Sequence, residues 1–198
     1  MRTTSRFVMR RMTVTAIMSA VAFVLMILEF AVPLVPSFLK FDFSDLPAFI
    51  TSFAIGPVYG AIVELIKNVL HLTMTTTSGV GELANFIIGA CLVLPAGIIY
   101  KCIKSRKGAV IGSVSGAVTA AVVSVPVNYY ITYPFYSNFM PMESIIAAYS
   151  AIFPWVDSLF KALLFVNLPF TLCKGIMNSI ITFFIYKKLS PVLKGDKQ

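Results

Sequence analysis

The chain has 198 residues, 58% of them hydrophobic and only 12% charged. A water-soluble globule carries about 25% charged residues and a disordered chain more, so both are excluded. The 16 Lys and Arg against 8 Asp and Glu give a net charge of +8, which would suggest nucleic acid in a soluble protein. In an apolar chain it is read first as membrane topology, because cytoplasmic loops collect basic residues.

A bilayer core needs about 20 apolar residues per helix, so the chain has room for five to seven spans and none for a separate soluble domain. The first apolar run covers about Met12 to Val32 and stops before Pro33 and Pro36. It is too long for a signal-peptide core and has no small-residue cleavage pattern, so it reads as a retained span. A loop, PLVPSFLKFDFS, follows over 33–44. The second run begins near Asp45-Leu46-Pro47, with Ser44 or Asp45 as the expected N-cap and Pro47 in the first turn. It breaks at Gly56-Pro57, and a third run continues to about Met74. After the polar stretch TTTSGVGE (75–82), a fourth run covers Leu83 to Tyr100. The basic loop KCIKSRKG (101–108) leads to a fifth run, Ala109 to Tyr133. A mixed connection over 134–161 contains MESIIAAYSAIF, expected as a short surface helix, and Trp155, expected as an interfacial anchor. The sixth run is Ala162 to Tyr186, and the tail is basic.

Three clusters hold twelve of the 16 basic residues: Arg2, Arg6, Arg10 and Arg11; Lys101, Lys104, Arg106 and Lys107; Lys187, Lys188, Lys194 and Lys197. An even number of spans must separate them if all face the cytoplasm. A break at Gly56-Pro57 gives four spans and then two. The expectation is one all-α membrane domain over 1–198 with six transmembrane helices and short cytoplasmic termini at about 1–11 and 187–198. The loops over 33–44, 75–81 and 134–161 then lie outside.

The chain lacks the phosphate-binding loop pattern GxxxxGK[ST], so it has no ATPase site of that kind. Its single histidine, His71, and its lack of paired catalytic carboxylates argue against an enzyme and against a metal site. Glu64, Asn68 and His71 share a helix face and read as a polar seam between helices. Cys91, Cys102 and Cys173 form no CxxC pair and read as small buried hydrophobes. Ala16xxxAla20, Gly56xxxGly60 and Gly112xxxGly116 are small-residue patterns that let helices approach closely.

Polar residues at membrane depth are the informative ones. Lys174 lies well inside the sixth run, where a lone lysine costs about 2.5–3.5 kcal/mol and needs a partner or a cavity. Thr171 stands one turn before it, Asn128 near the outer end of the fifth run, and Glu82 and Asn85 at the start of the fourth. All five fall in the outer half, as either a structural polar network or a pocket open to the outside.

The stretches FDFSDLPAF (41–49), GPVYGAIVELIKNVLH (56–71), TTTSGVGELANFIIG (75–89), VNYY (127–130) and PFTLCKG (169–175) resemble the substrate-binding S component of energy-coupling factor (ECF) transporters, most of all its riboflavin-specific member. The AIMSA segment (16–20) matches the AxxxA helix motif of S components. The resemblance implies a six-helix protein of the bacterial cell membrane without ATPase activity. It implies capture of riboflavin as transported ligand, with no cofactor, and delivery by toppling beside a transmembrane coupling protein and two ATPases. Asn128, Lys174, Thr171, Glu82 and Asn85 become the expected riboflavin-binding residues, with Phe41, and also Phe38 and Phe43, closing over the ligand. Ala16 and Ala20 become the expected docking face. Where the family often has Asn, this chain has Thr171, which lacks the amide's paired donor and acceptor. An S component for another vitamin or for flavin mononucleotide is the near alternative. A channel or structural membrane protein is the alternative from another class.

Overall fold

The computed structural model describes residues 2–33 and 35–194, with side chains over 8–33 and 35–186. The basic residues Arg2, Arg6, Lys187, Lys188, Lys194 and Lys197 have side chains outside that range. Helix α1 (Arg2–Ile27) ends five residues earlier than the apolar run suggests. Its continuation pairs instead as a short antiparallel hairpin, β1 (Phe30–Ala31) with β2 (Lys40–Phe41), Phe30 facing Phe41. The expectation of a purely helical chain and a plain loop is corrected to this extent. The hairpin brings Phe30, Phe41 and Phe43 into one aromatic cluster.

Helices α2 (Asp45–Ala54) and α3 (Pro57–His71) are separate, as the Gly-Pro pair requires. Gly56 takes φ 142° and ψ 159°, which a Cβ would strain, and Pro57 opens the next helix with φ already set. The expected N-cap does not form. Ser44 is helical and makes no capping bond; its hydroxyl receives the Lys67 ammonium at 2.8 Å. A three-residue 3-10 turn, Leu72–Met74, ends α3.

Helix α4 (Val80–Cys102) and helix α5 (Arg106–Val127) form a hairpin across the basic loop. Ser105 caps α5 by accepting the Gly108 amide at 3.1 Å. From α5 the chain passes through a π-helical turn, Asn128–Thr132, into α6 (Tyr133–Tyr136). Helix α7 (Met142–Ser150) lies in the connection, and only part of it is surface, since Ile145 and Tyr149 are buried. Trp155 is 52% exposed. Helix α8 (Leu159–Ala162) runs through a second π-helical turn, Leu163–Asn167, into α9 (Leu168–Lys194).

Four helical stretches among the described residues are long and apolar enough to cross a membrane: Val8–Ile27, Val80–Cys102, Arg106–Tyr136 and Leu159–Tyr186. Helices α2 and α3, with 10 and 15 residues, are each shorter than a bilayer-crossing helix. The protein is a helical membrane protein, and its lipid-facing surface is apolar. Val110, Ile111, Val114, Val118 and Val122 on α5 are all exposed.

Two glycine motifs serve internal packing. Gly60 lies under Ala48 and Ser52 of α2, and Gly112 and Gly116 lie against the α4 backbone at Ala96 and Leu92. One core cluster gathers Ala22, Phe49, Ile50, Val63, Val93, Ala96 and Ala117 from five helices. A second gathers Tyr133, Ile145, Tyr149, Val156 and Leu163, with Phe38 of the 33–44 segment packed on it. Ala16 and Ala20 take no part in either core; both are exposed on α1.

A Cβ at Gly112 would stand 2.6 Å from the Ala96 carbonyl oxygen, which is backbone and cannot turn aside. Gly112→Val is expected to destabilise the protein by about 1–3 kcal/mol, the range for overpacking. Thermal unfolding in detergent checks this, and an unchanged midpoint would contradict the close α4–α5 packing.

Candidate functional site

A cavity of about 460 Å³ opens between α4, the π-helical turn after α5, α9 and the 33–44 segment. That volume lies within the usual range for a small-molecule site. Glu82, Asn85, Asn128, Thr171 and Lys174 all line it. Their three segments meet here because α4 and α9 both pack on α5. Phe38 also lines it, edge-on to Tyr149 with ring centroids 5.5 Å apart. Phe41 and Phe43 are not among the lining residues. Phe41 is 6% exposed and meets Phe170, which does line the cavity, at 6.2 Å.

Lys174 has protein partners. Its ammonium donates to Asp42 Oδ2 at 2.9 Å and lies 3.4 Å from Asp45 Oδ2. Lys67, fully buried, lies 2.6 Å from Asp45 Oδ1 and 2.7 Å from Glu64 Oε2. Asp45 thus bridges both lysines, one through each oxygen. Asn178 of α9 donates to Asp45 Oδ2 at 3.4 Å. Asp42 Oδ1 accepts the Ser44 amide at 2.8 Å, which fixes the turn into α2. This cluster joins the 33–44 segment, α2, α3 and α9. Asp42 and Asp45 line the cavity, and Glu64 and Lys67 lie behind it.

Sequence reasoning found Lys174 but not its counter-ions. The signal was present in FDFSD, two acids in an otherwise apolar stretch, and in Glu64 and Lys67 one turn apart in an apolar helix. Both patterns are costly in a membrane unless paired.

Glu82 is likewise engaged. His71 Nδ1 lies 2.9 Å from its Oε1, and the Thr75 and Thr77 hydroxyls donate to its Oε2 at 3.0 Å each. The polar seam expected from Glu64, Asn68 and His71 divides. Glu64 packs on Gly89 of α4, and His71 holds Glu82, while Asn68 bonds back to the Glu64 carbonyl at 2.8 Å within α3.

The wall near α7 holds a network that the sequence did not suggest. Tyr149 donates to Asn167 Oδ1 at 2.6 Å, the Asn167 amide donates to Tyr133 Oη at 3.3 Å, and the two tyrosine hydroxyls are hydrogen-bonded. Burial pushes the Tyr149 phenol well up, so it stays a neutral donor. Tyr133 and Asn167 line the cavity.

Residues 10–186 match the family described as ECF transporter, substrate-specific component. A riboflavin transporter RibU of Staphylococcus aureus is 34% identical over 185 residues, 93% of each chain. A riboflavin transporter FmnP of Bacillus subtilis is 34% identical over 95% of this chain and 96% of that one. A solved structure described as the S component of a bacterial ECF transporter superposes with TM-score 0.72 at 33% identity, covering 93% of this chain and 97% of the other. The chain belongs to the substrate-specific components of ECF transporters, a family of transport proteins and not of enzymes.

Lys67→Met would leave Asp45 and Glu64 without their shared counter-ion. Removing one partner of a buried ion pair costs about 3–5 kcal/mol. The expected result is a large loss of folded protein in detergent, partly recovered by adding Glu64→Gln. Unchanged yield and melting temperature for Lys67→Met would contradict the ion-pair assignment.

Proposed function

We propose that this chain is the riboflavin-binding membrane subunit of an ECF transporter. It captures the vitamin from outside the bacterial cell and delivers it to the cytoplasm with a coupling protein and two ATPase subunits. The observation that carries this reading is the cavity, which combines apolar walls with converging amides, hydroxyls and charges in a chain 34% identical to named riboflavin transporters.

Riboflavin offers a flat apolar ring, a pyrimidine edge with alternating acceptors and a donor, and a hydroxylated chain. Burying roughly 250 Å² of ring contributes about 6 kcal/mol at 25 cal/mol/Å², so apolar contact dominates affinity. The carboxamide of Asn128 matches the pyrimidine edge. Lys174, with protons beyond those given to the aspartates, donates to a ring oxygen or nitrogen. Thr171 stands beside it. Glu82 and Asn85 receive the hydroxyls of the chain, Glu82 being held rigid by His71 and two threonines. Phe41 acts through Phe170, backing the aromatic wall.

The charges favour an uncharged flavin over its phosphate ester. Both lysines of the cavity wall are paired, Lys174 with Asp42 and Lys40 with Glu29. A phosphate would enter beside carboxylates with no cation left unpaired among the lining lysines. Quenching of flavin fluorescence by the purified protein tests the reading. Riboflavin is expected to bind, flavin mononucleotide at least about tenfold more weakly, and Asn128→Ala to lower riboflavin affinity by about 1–3 kcal/mol. Failure to bind riboflavin would overturn the reading.

For architecture, the proposal is one membrane domain over 1–198 with six membrane-embedded helices, α2 and α3 being the two short ones, and both termini cytoplasmic. The three basic clusters and the break at Gly56-Pro57 support it. The exposure of Ala16 and Ala20 supports a docking role for that face of α1. Replacing both by Leu is expected to leave riboflavin binding intact and reduce uptake in cells carrying the partner subunits. Loss of binding would assign the alanines to internal packing, and full uptake would remove them from coupling.

A further inference from the structure

The threonines of this bundle show a common habit. Thr15, Thr51, Thr119 and Thr182 each donate the hydroxyl to the carbonyl four residues back, to Arg11, Pro47, Ser115 and Asn178, at 2.7–2.8 Å. This is the ordinary way for a helical threonine to satisfy its hydroxyl where water is absent.

Thr132 departs from it. Its residue is 6% exposed, its Oγ1 is buried, and that oxygen has no hydrogen-bond partner among the described residues. The cause is local. Thr132 closes the π-helical turn Asn128–Thr132, in which the Asn128 carbonyl receives the amide of Tyr133, five residues on. The wider turn breaks the register that would bring the hydroxyl onto the carbonyl four residues back. Thr132 lines the cavity, one turn from Asn128, and its covered hydroxyl would meet a ligand there by rotation about the Cα–Cβ bond. A buried hydroxyl left unbonded is costly, and natural structures rarely leave one without a use.

We propose that Thr132 is a further ligand-binding residue, whose hydroxyl forms a hydrogen bond with the bound flavin beside the contact made by Asn128. The inference rests on the reading of the cavity as a riboflavin site. The π-helical turn serves it by withholding the backbone acceptor that an α-helix would have supplied, so the hydroxyl is kept for the ligand. The neighbouring polar groups Tyr133 and Asn167 are committed elsewhere, bonded to each other and to Tyr149, which leaves Asn128 and Thr132 to meet a ligand on this wall. Thr132 therefore contributes to the choice of ligand as well as to affinity, because a ligand with an apolar group at this position leaves the hydroxyl unsatisfied.

The test uses the whole chain in detergent and riboflavin as probe, comparing the parent with Thr132→Val and Thr132→Ser. Valine keeps the shape and removes the hydroxyl; serine keeps the hydroxyl. Thr132→Val is expected to lower riboflavin affinity about 5- to 100-fold, the factor for losing a buried hydrogen-bond partner. Thr132→Ser is expected to stay within about threefold of the parent. The ligand-free melting temperature of Thr132→Val is expected not to fall, since no bond within the protein is removed. Parental affinity in Thr132→Val overturns the proposal, and so does a lowered ligand-free melting temperature with the affinity loss shared by Thr132→Ser. A parent that binds no riboflavin overturns instead the reading of the cavity on which the inference rests.

Discussion

Two ammonium groups buried among apolar helices have to be neutralised where they stand, and Asp45 does this for both. Its carboxylate bridges Lys67 of α3 and Lys174 of α9, while Asp42 and Glu64 complete the pairing on either side. Water is excluded from Lys67 and Glu64, which are fully buried behind the cavity, so there the geometry of the ions dictates where their helices lie. The start of α2 is placed by it, since Ser44 and Asp45 both bond Lys67. So is the 33–44 segment, through Asp42. A short helix such as α2, with 10 residues, has too little surface to hold itself between longer neighbours; the ion cluster fixes its first turn and Gly60 admits its flank.

The same economy shapes the cavity. Four carboxylates, Glu29, Asp42, Asp45 and Glu82, line it against two lysines, Lys40 and Lys174, and both lysines are paired, so the wall presents no naked cation. What remains for a ligand is the neutral donors and acceptors of the wall, the hydrogen-bonding capacity left on Lys174 and Glu82, and a large apolar area. Such a wall suits a flat heteroaromatic molecule whose affinity comes from ring burial and whose selection comes from a few hydrogen bonds. The two π-helical turns contribute most directly. They carry Asn128, Thr132 and Asn167 to the cavity, at positions that a continuous α-helix would direct differently.

Much of this was legible in the sequence, for identifiable reasons. The break between α2 and α3 follows from Gly56 and Pro57, whose backbone limits act locally. Five of the residues expected at the site line one cavity, because polar groups at a shared depth in apolar runs have few other places to go. Phe41, expected to close over the ligand, is not among the cavity-lining residues: its ring faces Phe30, Phe43 and Phe170, an outcome set by the register of a two-residue hairpin that no local pattern announces. The end of α1 at Ile27 was also hidden, since the apolar character continues through Val32. FDFSD marks Asp42 and Asp45 as acids in need of partners, but nothing local matches them to Lys174, since Asp42 lies 132 residues earlier in the chain. The π-helical turns have no sequence signature of their own, so Thr132 and Asn167 looked like ordinary positions in apolar helices.

The claim that the ion cluster organises the molecule is tested most directly by a double-mutant cycle on Asp42 and Lys174. Asp42→Asn, Lys174→Met and the double variant would be compared with the parent by unfolding of the ligand-free protein in detergent. Residues in direct contact within one ion network couple by about 0.5–3 kcal/mol. A coupling energy above about 1 kcal/mol is expected, with the double variant more stable than the sum of the single losses allows. Strict additivity of the two substitutions would contradict the claim.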